Sequence, residues 1–97
     1  MNIELLVKTL SIEKIIIYGN RAITSNDIDL LIVSDDFIDI FRQKRKKLVK
    51  RLISSDKPID PICLTIHEYK VLLDSNDNYR LNIIEKGEIL YDKSIYR

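Results

Sequence analysis

The chain has 97 residues, with 16 Lys+Arg against 15 Asp+Glu, one His, one Cys and no Trp. That length fits one domain over residues 1–97, and 45% hydrophobic with 32% charged residues exclude a disordered polymer. A formal net charge of +1 argues against bulk binding to nucleic acid or an anionic membrane.

Ile3, Leu6, Val7 and Leu10 recur at helical spacing, so the chain opens with a short amphipathic helix over 3–10. Its early Glu4 and lack of a long apolar stretch make this segment a poor signal peptide. The β-branched run of residues 14–18 stops at Gly19 and predicts a strand buried on both faces. Polar and small residues up to Asp27 read as a loop. Residues 28–33 (IDLLIV) form a second buried strand, closed by Ser34-Asp35-Asp36, where either Asp is expected to cap a following helix. That helix is predicted over 37–54, with Phe37, Ile38, Phe41, Leu48, Val49, Leu52 and Ile53 on one side and Lys46, Lys47, Lys50 and Arg51 opposite.

Pro58 precedes a third strand over 59–66, and Pro61 inside it points to an edge strand or a strand end. Thr65-Ile-His-Glu68 has the spacing of a capping box leading into a short helix over 68–73. A turn cluster at 75–78, a second short helix over 79–86 ending at Gly87, and a last strand over 88–91 complete the chain. The expected fold is thus one α/β (α+β) domain, a small mixed sheet packed by helices. No apolar run approaches the roughly 20 residues that span a bilayer. The single Cys63 cannot close an intramolecular disulfide, which fits a reducing cytoplasm. A core this small gains from a partner subunit, either another protein or a second copy.

The residues able to carry chemistry gather around Gly19-Asn20 and Asp27-Ile28-Asp29. Alternate strand residues share a side, so Asp27 and Asp29 present two carboxylates together, and Asp60 opens the next strand. Adjacent carboxylates repel unless a cation sits between them, and Mg²⁺ is the hard cation that takes oxygen ligands. Three convergent carboxylates suit two-metal phosphoryl or nucleotidyl transfer. Asp-x-Asp also arises as an ordinary turn cap. Arg45 falls in the apolar sector of its helix. Either its stem lines the core edge with its head in water, or its guanidinium reaches a triphosphate or an acidic partner. Cys63 reads as a buried small hydrophobe, His67 as a surface or capping residue, and Tyr18, Tyr69, Tyr79 and Tyr91 as packing residues.

Taken in order, the run IIIYGNRA over 15–22, NDIDLLIV over 26–33, Asp60, Thr65-Ile-His-Glu68-Tyr69 and the end segment over 82–91 resemble the nucleotidyltransferase superfamily that includes polymerase β, in particular its minimal single-domain members. The resemblance spans about residues 12–92. It implies that Asp27 and Asp29 hold Mg²⁺, that Asp60 completes the site and helps activate an acceptor hydroxyl, and that Gly19, Asn20 and Arg21 contact a nucleoside triphosphate such as ATP. The implied reaction moves a nucleoside monophosphate, for instance AMP, to a hydroxyl on a partner protein. Minimal members act as antitoxins of bacterial toxin-antitoxin pairs beside a small HEPN-type toxin, which makes such a toxin the implied partner. Two departures fall on the nucleotide side: Asn20 stands where the family has Ser, and the interval from Gly19 to Asp27 is shorter than usual. A fold of this kind without catalysis, binding its partner by contact, is the alternative expectation. The basic helix offers a third, contact with RNA or an acidic protein, which the near-neutral charge disfavours.

Overall fold

Short β-branched runs flanked by polar turns give strands, and four of them form one mixed sheet in the computed structural model, which describes residues 1–19, 26–76, 78 and 81–95. The first helix, α1 (Glu4–Thr9), leads into β1 (Ile12–Tyr18), and β2 (Ile28–Ser34) follows. A 3₁₀ turn at Asp35–Phe37 precedes α2 (Arg42–Leu52). Then come β3 (Ile59–Leu64), α3 (Ile66–Leu73), a π-helical turn at Leu81–Glu85 and β4 (Glu88–Asp92). The strand order is β3-β2-β1-β4, with β1 antiparallel to both neighbours and β2 parallel to β3.

The sheet is buried on both faces, as the unbroken apolar runs predict. On one face Ile15, Leu30, Ile32, Ile59 and Cys63 pack with Leu6 of α1, Phe37 and Val49 of α2. On the other, Ile16, Leu31, Val33 and Leu64 pack with Ile83, and Ile66, Tyr69 and Leu72 of α3 close over them. Burial pushes the Cys63 thiol up to about 12, which leaves it a packing residue. Tyr18, Tyr69 and Tyr91 pack against these two clusters as expected, while Tyr79 lies outside the described residues. Among the described residues no helix is long and apolar enough to cross a membrane.

Three local expectations are corrected. The helix expected over 37–54 starts only at Arg42, because Asp39 turns the chain into the left-handed region (φ 64°) and ends the 3₁₀ turn first. The capping oxygen is that of Ser34, which accepts from the Asp36 amide, and neither aspartate caps α2. Asp35 instead accepts from the Ile66 amide at the start of α3, and Asp36 from the Ser11 amide before β1. Arg45, finally, fits neither expectation for it, since its charged head is turned inward and the residue is 7% exposed.

Inside, Arg45 donates from Nε to the Ile40 carbonyl (2.7 Å) and from Nη1 to the Cys63 carbonyl (3.1 Å) and Glu68 Oε1 (2.7 Å). Its guanidinium also lies 5.9 Å from the centre of the Phe37 ring. Glu68 Oε1 accepts the Thr65 amide as well (2.8 Å), and the Thr65 hydroxyl accepts the Glu68 amide, so the predicted capping box is complete. Burial would push the Glu68 carboxyl up, but the bonds from the Thr65 amide, the Arg45 guanidinium and the Thr65 hydroxyl together hold it below its ordinary value of 4.5.

Replacing Arg45 with Ala strands Glu68 and two acceptors, and we expect a loss of about 3 kcal/mol in urea unfolding. Because the folded Glu68 value lies below the ordinary one, the stability it contributes is complete above pH 4.5 and is lost as pH falls through the folded value. Glu68→Gln is therefore expected to flatten the acid limb of the stability profile, which unfolding at stepped pH measures directly.

Candidate functional site

The three candidate carboxylates meet where β1 ends and β2 and β3 begin. Asp29 and Asp60 are register partners across the parallel pair, as are Leu31 and Ile62 two residues on. Side chains alternate along each strand, so both aspartates project from the face that carries Leu31, Val33 and Leu64 further along. Asp27, two residues before Asp29, stands at the entry to β2. Across the antiparallel pair, Tyr18 is the partner of Asp29.

This crowding shows in the titration of Asp29. Partial burial raises its carboxyl above the ordinary value of 3.8, and the charges of Asp60 and Asp27 raise it further. The interaction with both neighbours puts the three acidic groups in one electrostatic neighbourhood. Among the described residues, Lys46 of α2 brings Nζ to 3.7 Å from Asp60 Oδ1. No spacing rule could have found this pair, because Lys46 belongs to a helix expected to face solvent.

Gly19 has a second role that the sequence reading did not foresee. Its φ is +89°, a conformation that L side chains rarely adopt, and a Cβ there would sit 2.6 Å from Asp29 Oδ2. The glycine thus lets the strand end turn directly against the Asp29 carboxylate. Asn20 and Arg21, expected to contact a nucleotide, lie outside the described residues.

The donor chemistry suits a hard divalent cation, since all three groups offer carboxylate oxygens on adjacent strand starts. Among the described residues, however, no three His, Cys, Asp or Glu side chains are gathered tightly enough to hold a metal ion. Compared with known protein families, characterised proteins and solved structures, the chain finds no match.

Two outcomes follow from that geometry. Asp29→Asn removes a like charge opposite Asp60 and is expected to stabilise the fold at pH 7 by about 0.5 kcal/mol. A raised carboxyl costs stability as pH rises through its folded value, so the gain should vanish below pH 3.8, where the native Asp29 is protonated too. Gly19→Ala, by contrast, is expected to cost about 2 kcal/mol through its backbone conformation and its clash with Asp29. Chemical denaturation of both variants at two pH values tests the pair.

Proposed function

We propose that the protein is a Mg²⁺-dependent nucleotidyltransferase that moves a nucleoside monophosphate, AMP being the first choice, from a triphosphate to a hydroxyl. The observation that carries this reading is the in-register pairing of Asp29 with Asp60, with Asp27 beside them and Gly19 pressed against Asp29. Asp27 and Asp29 are the residues that would hold the metal. Bound Mg²⁺ supplies charge neutralisation of the triphosphate and of the leaving pyrophosphate. Asp60, with its side chain 58% exposed, would accept the proton of the attacking hydroxyl. The new bond joins that oxygen to the α-phosphorus, and the bond to pyrophosphate breaks. Gly19 gives the phosphates room to approach the backbone. Asn20 and Arg21 belong to this reading as nucleotide contacts.

With one small domain, the acceptor hydroxyl is best supplied by a partner protein. The resemblance set out above favours a HEPN-type toxin and an antitoxin role in the cytoplasm. A second reading has a specific observation of its own. Lys46 already neutralises part of the carboxylate group without a metal, which suits a domain of this shape that works by partner contact alone.

Calorimetric titration with ATP separates the two. Mg²⁺-dependent binding that falls by at least about tenfold in Asp27→Asn/Asp29→Asn is the expected outcome, matching the loss of direct ligands. If none of the four nucleoside triphosphates binds with Mg²⁺ present, the transfer reading fails and the contact reading stands.

A further inference from the structure

An opening of about 660 Å³ lies over the outer edge of β3 between α2 and α3. Its apolar lining includes Ile62 and Leu64 of β3 with Val71 and Leu72 of α3, and its α2 rim carries Arg42 and Lys46. Val71 is 57% exposed, and Phe41, beside Arg42 in the chain, is 81% exposed. Exposed apolar groups beside fixed cations call for a ligand with both characters. We propose that this groove docks an acidic amphipathic helix of a partner protein, its apolar stripe on Val71 and Leu72 and its carboxylates on Arg42 and Lys46. The inference is independent of nucleotide chemistry.

The charge balance supports an acidic ligand. Seven of the eleven residues of α2 are Lys or Arg and none is acidic. Glu68, the one acid lining the groove, is committed inward to Arg45 and the Thr65 amide, with Arg42 a further 3.6 Å contact. The groove therefore presents net positive charge above an apolar floor.

The edge of β3 dictates a helix and not an added strand. Ile28 donates to the Pro58 carbonyl, so in this parallel pair residues 58, 60, 62 and 64 turn their backbone groups towards β2 and residues 59, 61 and 63 turn theirs outward. Pro61 has no amide to offer, and the Cys63 carbonyl is occupied by Arg45. An incoming strand would find that ladder broken in the middle. A helix needs no backbone bonds and reads the groove through side chains alone.

Other occupants fit less well. None of the described helices of this chain presents an exposed acidic face, since α1 pairs its Glu4 with Lys8, α2 is basic and Glu68 of α3 is engaged. A second copy therefore offers no acidic helix to this groove. RNA would want a row of aromatic stacking surfaces, and among the described residues His67 is the sole aromatic in the lining.

Fluorescence anisotropy with a labelled helical peptide of Leu, Ala and Glu, about 18 residues long so that the helix holds, tests the proposal. Binding to the wild type is expected, weakened by about tenfold or more in Arg42→Glu/Lys46→Glu and separately in Val71→Asp. Lys44→Glu/Arg51→Glu, on the opposite side of α2, should leave affinity within about threefold, as remote rim charges do. All the altered side chains are at least partly exposed, and circular dichroism of each variant confirms the fold. The proposal is overturned by no binding, by equal binding of the same peptide with Lys for Glu, or by equal weakening in the Lys44/Arg51 variant. Oligouridine displacing the peptide would make the surface an RNA site. Dimerisation of the chain lost in Val71→Asp would make it a self-interface.

Discussion

A buried cation organises this molecule. Arg45 sits where α2 meets the edge strand, and leaving its head among apolar groups unpaired would cost several kcal/mol. The compensation comes from three chain segments at once: the Ile40 carbonyl before α2, the Cys63 carbonyl of β3 and the Glu68 carboxylate of α3. Glu68 in turn caps the first turn of α3 through the Thr65 amide. One carboxylate thereby both neutralises a buried charge and starts a helix. The angle between α2 and α3 across β3 depends on that shared group, and so does the width of the groove between them. Three hydrogen bonds to three separate segments make this a specifying network and not a liability.

The opposite end of the sheet is built on unresolved repulsion. Asp29 and Asp60 are placed side by side by the register of two parallel strands, a register that Leu30, Ile32, Ile59 and Cys63 fix through burial on the other face. Slipping the register by one residue to part the carboxylates would turn that apolar set outward. The core therefore imposes the acidic pair, and Lys46 only partly offsets it. A local conflict that the rest of the fold enforces is the usual mark of a site kept for chemistry or binding. Gly19 belongs to the same bargain, since the chain accepts a left-handed residue to run closely past Asp29.

What could be read from the sequence divides along physical lines. Strand identities were legible in the unbroken apolar runs IIIY and IDLLIV, and the capping box was legible in Thr65 and Glu68, because each depends on neighbours within four residues. The edge position of β3 was legible from Pro61. Arg45 shows where local reasoning stops: a helical wheel gave its angle, but its partner lies 23 residues away, so the choice between core and water could not be made. The start of α2 was misplaced for a related reason. Asp35 and Asp36 are drawn off by the Ile66 and Ser11 amides, long-range bonds that no capping preference encodes. Within the candidate site, the carboxylate grouping was legible from strand alternation, while Lys46 was not.

Lys46 stands between the groove and the carboxylates. It lines the groove and pairs with Asp60, so its single positive charge serves both surfaces. At 3.7 Å and partial exposure the pair is soft, worth less than the buried Arg45 contact and easily re-aimed. A carboxylate arriving in the groove competes with Asp60 for the same ammonium group. Whatever share of Lys46 it takes returns charge to the Asp29–Asp60 pair and strengthens the attraction of that pair for a cation. Linkage makes the effect reciprocal: a cation held by the carboxylates frees Lys46 for the groove. If both surfaces take the ligands proposed for them, one flexible side chain would couple them in sign, with no change of fold required.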